Sequence, residues 1–306
     1  MNKIMILDPR NKEIFIHVNG ALVPREQAKI SVFDSAVQGG DAVWEGLRVY
    51  KGKIAALNEH LERLQDSAKT LAFSSIPDNK EVKKAIFETL EANQMWDETH
   101  IRLTLTRGEK ITSGMNPKLN QSGCSLIVLA EWKPPVYGNN GIKVITSSVR
   151  RNTPECLDSK IHHNNLLNNI LATIEANVAG AESAIMLDVN GFISETNDTN
   201  LFIVKDNSIY TPYAKSCLPG ITRKMILDIA SEKGIDNHEK DLSLTELYTA
   251  DEAFTSGTMG ELTPIIEADG RIIGKGKAGD TTKKIQKYHL EYAYKNGAEL
   301  PFNISK

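Results

Sequence analysis

Apolar residues recur at two different spacings in the first part of the chain. The stretch 14–20 alternates apolar and polar positions and ends in Asn-Gly, which predicts a strand and a turn, and 30–36 predicts a second strand. From Asn58 the spacing becomes helical, with Arg63 on a different face from the apolar residues of the same helix. Those apolar residues are Leu61, Leu64, Ala68 and Leu71.

A break in this pattern divides the chain. A helix over about 80–95 and strands over 100–108 and 124–130 lead into residues 131–142, where Pro, Gly and Asn dominate and no apolar period persists. This composition is typical of a linker. The predicted organisation is a smaller N-terminal α+β domain over 1–133, a linker over 134–141, and a larger C-terminal domain over 142–306.

The second half of the chain contains clustered strands. A helix over about 165–179 carries one broad apolar face, and a second helix opens at Thr222. The predicted strands are 143–149, 184–188, 200–204, 208–212 and 252–257. The apolar face of the first helix consists of Leu166, Leu167, Ile170, Leu171, Ile174 and Val178. Because the strands cluster and do not alternate strictly with helices, the predicted fold class is α+β.

Composition removes several function classes. The chain has 306 residues, 41% apolar and 25% charged, which fits a globular protein with two cores of ordinary size. Its net charge of −3 comes from scattered charges, without the basic run typical of nucleic-acid binders. The longest apolar stretch, 125–130, fits a buried strand, and the N-terminal residues lack the apolar core of a signal peptide. Cys124, Cys156 and Cys217 have no metal-type spacing, so we expect a cytoplasmic enzyme without a metal site.

Four positions carry chemistry that suits a phosphorylated cofactor with a cationic ring. Lys160 lies between an irregular segment and a predicted helix, where desolvation would lower its pKa and favour Schiff-base formation. Glu195 lies just past a strand, where a carboxylate keeps a pyridine nitrogen protonated. Thr222 in a first helical turn and Thr258 in a small-residue turn accompany backbone amides that suit a phosphate. Together they indicate pyridoxal 5'-phosphate (PLP), although each alone has an ordinary interpretation: a surface lysine, an exposed hairpin tip, a helix start and a turn.

Two other motifs carry less weight. Gly274, Gly276 and Gly279 match G-x-G-x-x-G, but no strand with an acidic residue follows to complete a dinucleotide-binding unit. We interpret them as a surface turn. His162 and His163 are adjacent, and no cysteine or carboxylate completes a metal set around them, so we interpret both as loop residues.

Long motifs in order make the chain resemble the fold-type IV PLP enzymes, also called class IV aminotransferases. The resemblance is carried by residues 40–69, 187–212, 218–230 and 249–265 and extends over nearly the whole chain. It implies a two-domain α+β fold with the active site at the domain interface.

The resemblance also implies a role for each candidate residue. Lys160 is implied to form the Schiff base with PLP and to shuttle the proton in the reaction. Glu195 is implied to pair with the pyridine nitrogen, and Arg63 to bind the phosphate through charge-assisted hydrogen bonds. The other implied phosphate-binding positions are Ile221, Thr222 and Thr258.

Within the family, the motifs are most similar to those of branched-chain amino acid aminotransferases. The implied substrate contacts are Arg48, Arg102, Met259 and Gly260. Three features depart from that subgroup. Gly39 replaces one of its tyrosines, and Leu166 replaces another after a segment that is one residue longer. Met259 stands in a turn that usually holds small residues, where it would reshape the carboxylate-binding loop.

The predicted function is transfer of the amine of a branched-chain L-amino acid to 2-oxoglutarate by a ping-pong mechanism, in a homodimer. A D-amino acid or (R)-amine transaminase and an aminodeoxychorismate lyase are alternatives, because pocket residues on loops separate these activities. D-amino acid aminotransferases share the Thr-Arg-Gly at Arg107 but carry an Arg and a His shortly after it, which this chain lacks. A non-catalytic PLP-binding protein is a further alternative.

Overall fold

The structure is a computed structural model that describes residues 8–137 and 140–302. Its strands are β1 Phe15–Val18, β2 Ala21–Pro24, β3 Ala42–Tyr50, β4 Lys53–Ile54, β5 Thr99–Thr106, β6 Ser125–Trp132, β7 Ile142–Thr146, β8 Ser183–Leu187, β9 Ile193–Thr196, β10 Asn200–Lys205, β11 Ser208–Thr211, β12 Asn237–Glu239, β13 Glu252–Gly257, β14 Glu261–Ala268, β15 Arg271–Ile272 and β16 Ala298–Glu299. Its α-helices are α1 Ser35–Gly39, α2 Leu57–Thr70, α3 Asn79–Ala92, α4 Leu167–Ala179, α5 Ile221–Glu232, α6 Leu244–Tyr248 and α7 Asp280–Asn296.

The described chain divides into two compact units. The first comprises the chain up to Pro134, His162–Asn165 and the part from Ala293 onward; the second comprises Pro135–Ile161 and Leu166–Tyr292. The predicted domains 1–133 and 142–306 and the linker 134–141 stay a prediction. Residues 1–7, 138–139 and 303–306 of these predicted segments lie outside the described residues.

One antiparallel sheet organises the first unit, in the order β16-β4-β3-β5-β6-β1-β2. Strands β3 and β5 pair with Arg48 opposite His100 and Gly46 opposite Arg102. Helix α2 packs on β3 and buries the predicted apolar positions Leu61, Leu64 and Ala68 completely. The buried face of α2 also includes two polar residues, His60 and Ser67.

A mixed sheet organises the second unit, in the order β12-β11-β10-β13-β14-β7-β8-β9, with β15 paired to β14. The β7–β8, β7–β14 and β11–β12 pairs are parallel, and the others are antiparallel. Phe202 and Phe254, stacked at 5.0 Å, are fully buried on these strands. Two sheets with helices confirm the predicted α+β class.

Most predicted elements are present, and one is wrong. Residues 30–36, predicted as a strand, form a turn followed by α1. The Asp34 side chain accepts a hydrogen bond from the Ala36 amide and so starts a helix where the short apolar alternation indicated a strand. Residues 274–279 form a turn between β15 and α7, as predicted.

Helix α4 presents its predicted apolar face outward. Ala172 and Ala176 are buried against β8, on the other side of the helix. The exposed residues, each at least 50% accessible, are Leu167, Ile170, Leu171, Ile174 and Val178. An apolar stripe of this kind on an exposed helix is typical of a contact surface. No helix among the described residues is long and apolar enough to cross a membrane.

Candidate cofactor and substrate site

Glu195 lies inside the second unit and is only 5% exposed. It belongs to β9, so the interpretation as an exposed hairpin tip is wrong. Its Oε1 accepts hydrogen bonds from Arg151 Nε at 2.7 Å and from the Leu218 amide at 3.4 Å. Its Oε2 accepts one from Asn200 Nδ2 at 3.2 Å. Burial raises the pKa of Glu195, while Arg151 and the Leu218 amide oppose that rise.

Lys160 lies in a turn, not at the start of a helix, since α4 begins only at Leu167. Its side chain is 43% exposed, so the predicted desolvation is not observed. The Nζ atom lies 3.3 Å from Asp158 Oδ1 and donates to the Lys215 carbonyl at 3.2 Å. The amine is therefore held in place while solvent still reaches the side chain.

The loop between β11 and α5 links Lys160 to Glu195. The Lys215 carbonyl of this loop meets Lys160, and the Leu218 amide meets Glu195. Between them, Cys217 is 1% exposed, and burial raises the pKa of its thiol to about 12, with the Glu195 charge adding to the rise. The second unit thus brings the predicted lysine and carboxylate to one loop.

The same loop ends at the first turn of α5. Gly220 is the N-cap residue of α5. Because it has no side chain, it cannot accept a hydrogen bond from the backbone amides of the first helical turn. Ile221 is the first helical residue, and Thr222 is 7% exposed. A Cβ on Gly220 would lie 2.1 Å from Asn200 Oδ1, so the absence of a side chain lets the loop approach this residue. A helix start of this kind suits a phosphate.

Thr258, Met259 and Gly260 form the turn between β13 and β14, as predicted. The Met259 carbonyl accepts a hydrogen bond from the Val136 amide at 3.0 Å, and the Gly260 carbonyl accepts one from Thr263 Oγ1 at 3.0 Å. These bonds fix the two carbonyls, and the ligand contacts of the turn stay a prediction.

Arg63 in the first unit forms a two-pronged ion pair with Glu45. Its Nε donates to Oε1 at 2.8 Å, and its Nη2 donates to Oε2 at 2.6 Å. Glu45 is completely buried and also contacts His60 Nδ1 at 2.6 Å and His162 Nδ1 at 3.1 Å. Arg63 Nη1 is buried and has no hydrogen-bond partner among the described residues.

The charge state of this cluster follows from its contacts. Burial opposes ionisation of Glu45, but His162 and Arg63 outweigh it and hold the pKa of this carboxyl well below its usual value. Burial lowers the pKa of His162 to about 4, so this imidazole is neutral at pH 7. Arg63 therefore supplies the lasting positive charge. His162 does lie in a loop, as predicted, but its ring is an integral part of the cluster.

The predicted substrate arginines lie on the first unit's sheet. Arg102 Nη2 donates to Asn164 Oδ1 at 2.6 Å, and its guanidinium lies 3.5 Å from the Trp44 ring centroid. Arg48 Nη1 donates to the Lys133 carbonyl at 3.1 Å. Between the two arginines, His100 is 6% exposed. Its burial and the charges of Lys133, Arg48 and Arg102 lower its pKa to about 3.

Three other positions singled out in the sequence have local structural roles or few contacts. Gly39 is the last residue of α1, and a Cβ there would meet nothing within 4 Å. Leu166 directly precedes α4. Arg107 pairs with Asp41 and donates to the Leu71 and Ala72 carbonyls, which gives it a structural role. No group of three or more His, Cys, Asp or Glu among the described residues is arranged to hold a metal.

Sequence reasoning missed the partners of the predicted residues. These are Glu45, Trp44, Arg151, Asn164, Asn200 and Cys217. Asn200 stands five positions after Glu195, in the following strand β10. Arg151 stands 44 positions before Glu195 in an irregular segment, and no local pattern marks such a pair.

The chain matches the family model described as amino-transferase class IV over residues 42–268. It is 56% identical over 294 residues to branched-chain-amino-acid aminotransferase-like protein 2 of Arabidopsis thaliana, with 96% of this chain and 53% of that relative covered. The chain thus spans about half the length of that relative. It is 37% identical over 284 residues to the branched-chain-amino-acid aminotransferase of Escherichia coli K12, with 90% and 91% covered.

A solved structure is similar over almost the whole fold. The T.th. branched-chain amino acid aminotransferase, complexed with N-(5'-phosphopyridoxyl)-L-glutamate, superposes with a TM-score of 0.85 at 36% identity. The match covers 92% of this chain and 94% of that one.

Proposed function

The chain belongs to the class IV aminotransferases, and from this membership we propose that it transfers the amine of a branched-chain L-amino acid to 2-oxoglutarate by a ping-pong mechanism. The predicted family and its PLP-dependent enzyme class are confirmed by the match, as is the cofactor, PLP. One observation carries the proposal furthest. A buried carboxylate, Glu195, and an accessible lysine, Lys160, meet the same loop.

The residues present fit PLP. Glu195 offers a buried acceptor for a pyridine N–H, and Arg151 beside it favours the ionised form that accepts such a bond. Arg63 Nη1 is a buried donor that has no acceptor among the described residues, which suits a phosphate ligand. We propose that the phosphate is also held by Ile221, Thr222 and Thr258. The predicted position of the site at the domain interface stays a prediction.

Each residue then has a chemical task. PLP, when bound, supplies the ring that accepts carbanion charge from the substrate. Lys160 holds the cofactor through its Nζ and moves the proton at the substrate Cα. Asp158 and the Lys215 carbonyl keep that Nζ near one position, which shortens the search for reacting geometry. Glu195 holds a proton on the pyridine nitrogen.

The charge pattern of the first unit's sheet supports a dicarboxylic acceptor. The positive charges of Lys133, Arg48 and Arg102 all lower the pKa of His100, which is neutral at pH 7. Positive groups around an uncharged imidazole favour an anion, such as the distal carboxylate of 2-oxoglutarate. A glutamate adduct is bound by the similar T.th. enzyme, and branched-chain substrates are indicated by the relatives' names. We propose the same substrate pair for this chain.

A homodimer is part of the proposal. The exposed stripe on α4 repeats at i, i+3, i+4, i+7 and i+11 from Leu167 to Val178. A helix face of that kind is stabilised when another apolar surface covers it. A second copy of the chain is the partner that the family resemblance implies. Sedimentation equilibrium of wild type and Ile170→Glu checks this, since the variant is expected to shift toward monomer. The cytoplasmic location stays a prediction.

The test of the function compares amine donors. Purified protein is loaded with PLP and mixed in turn with L-leucine, D-alanine and (R)-1-phenylethylamine, and its absorbance is followed. L-leucine is expected to convert the bound PLP to the pyridoxamine form, and 2-oxoglutarate to restore it. A response to D-alanine or the amine alone would replace the proposal by the D-amino acid or (R)-amine alternative. No response to any donor would favour the lyase.

A further inference from the structure

Arg151 and Glu195 form an ion pair shielded from solvent inside the second unit. The side chains are 7% and 6% exposed, and Arg151 Nε donates to Glu195 Oε1 at 2.7 Å. Asn200 Nδ2 occupies the other oxygen at 3.2 Å. Among the described residues, the carboxylate thus has one charged hydrogen-bond partner and weaker neutral ones.

We propose that Arg151 is a positioning residue that keeps Glu195 in its ionised form, so that Glu195 accepts a hydrogen bond from the pyridine nitrogen of PLP. This inference rests on the proposed function, because it needs PLP to bind beside Glu195. It assigns Arg151 no contact with PLP or substrate.

The physical reason is that burial and the charge of Arg151 shift the pKa of Glu195 in opposite directions. Burial raises the pKa of Glu195, and the Arg151 guanidinium is the main group that opposes this rise. Without that charge, the acid would bind a proton at neutral pH, because an unpaired buried carboxylate is costly. A protonated carboxyl donates to the pyridine nitrogen and leaves the ring neutral. A carboxylate accepts from a protonated nitrogen and favours the cationic ring.

Arg151 also has contacts that serve the fold alone. Its amide donates to the Leu187 carbonyl at 2.9 Å, and its Nη1 lies 3.5 Å from Asn169 Oδ1 on α4. A purely structural role would weaken every ligand of the site equally when Arg151 is changed. The test must therefore ask whether the effect depends on the pyridine nitrogen itself.

The experiment compares PLP with 1-deazapyridoxal 5'-phosphate, in which a C–H group replaces that nitrogen. Dissociation constants for both are measured with wild type, Arg151→Met and Arg151→Lys. Wild type is expected to prefer PLP. In Arg151→Met, the Kd of PLP should rise about tenfold or more, since an opposite charge at this range shifts a carboxyl pKa by about one unit or more. The Kd of the deaza analogue should change less than about twofold, because no hydrogen bond to nitrogen is lost. Arg151→Lys keeps the charge and should keep the preference.

Equal weakening of both ligands in Arg151→Met, or no weakening of PLP, overturns the inference. If Arg151→Met does not fold, Arg151→Lys decides, because loss of the PLP preference with the charge retained also overturns it. Wild type that binds no PLP would sink the proposed function itself. Wild type that prefers PLP, with Arg151→Met showing the same preference, would sink only the role of Arg151.

A measurement without cofactor gives an independent readout. Infrared difference spectra of the full chain freed of PLP, Arg151→Met minus wild type, should show a protonated carboxylic acid band at neutral pH. The band should vanish in Arg151→Met combined with Glu195→Gln. A band absent from Arg151→Met, or present in the double variant at equal strength, would contradict the assignment to Glu195.

Discussion

Arg63 holds Glu45 with two parallel hydrogen bonds, at 2.8 and 2.6 Å, and keeps its third nitrogen, Nη1, buried and unpaired among the described residues. The two bonds fix the guanidinium plane, so Nη1 is aimed in one direction. A buried donor without an acceptor costs about 1–3 kcal/mol. This cost is understandable if an anion completes the site.

Replacing Arg63 should therefore weaken cofactor retention. Arg63→Ala is expected to raise the Kd of PLP by a factor equivalent to about 1.5–3 kcal/mol, the usual value for a hydrogen bond to a charged group. Equilibrium dialysis with PLP measures it. Arg10→Ala, at an exposed arginine of the same unit, is the matched control and should leave the Kd unchanged. An unchanged Kd in Arg63→Ala would remove Arg63 from the phosphate site.

Lys160 should be the residue that gives bound PLP its Schiff-base absorbance band. Lys160→Ala is expected to bind PLP without the band near visible wavelengths that a Schiff base gives, because no other amine is proposed to reach the ring. Absorbance spectra after gel filtration check this. Lys118→Ala, at an exposed lysine, is the control and should keep the band. Persistence of the band in Lys160→Ala would show that another lysine reacts.

Glu195 should matter more for turnover than for binding. Glu195→Gln keeps the shape and the contact with Asn200 but cannot carry the charge that stabilises a protonated pyridine nitrogen. PLP is expected to stay bound while kcat for L-leucine falls by about two orders of magnitude or more. Single-turnover absorbance with L-leucine measures the chemical step. Turnover equal to wild type would mean that another residue is the partner of the nitrogen.

The helices and strands were largely predictable because the spacing of apolar residues along the chain indicates them. The apolar period of α2 marked Leu61 and Leu64 as buried positions, and both are completely buried. The strand predicted over 30–36 was wrong because a few alternating positions resemble a strand. The capping hydrogen bond of Asp34 starts a helix there instead. On α4 the apolar period was visible, but periodicity does not reveal whether a face is covered.

The contacts of the site were less accessible from sequence. Glu45 and Arg63 are 18 positions apart, and Arg151 and Glu195 are 44 apart. Their pairing depends on strand order and on a loop position, which no single motif encodes. The exposure of Lys160 was likewise not predicted. Lys160 lies in a turn, because the helix expected next to it begins only at Leu167.

A buried histidine should make stability depend on pH. Burial lowers the pKa of His289 to about 4, below the ordinary value of 6.5. Because the folded pKa is depressed, the stabilisation is complete above pH 6.5 and is lost as the pH falls from there toward 4. The loss amounts to about 1.4 kcal/mol per pH unit for one proton, hence about 2 kcal/mol between pH 6.5 and 5.

Urea unfolding at these two pH values measures this dependence. His289→Leu should lose about 2 kcal/mol less stability over this interval than wild type. Parallel curves for His289→Leu and wild type would show that His289 titrates in the folded protein as it does in the unfolded chain.

Glycine should be needed at position 220 because there is no room for a side chain, and not because the backbone adopts a conformation that only glycine favours. Its φ of −61° suits alanine, but a Cβ would lie 2.1 Å from Asn200 Oδ1. Gly220→Ala is expected to displace the Asn200 amide from Glu195 and the Leu218 carbonyl and to cost about 1–3 kcal/mol in urea unfolding. Gly39→Ala, where a Cβ meets nothing within 4 Å, is the control and should be nearly neutral. Because the clash needs both side chains, Gly220→Ala should cost about 1 kcal/mol less in an Asn200→Ala background. Additive effects of the two changes would rule out this clash as the cause.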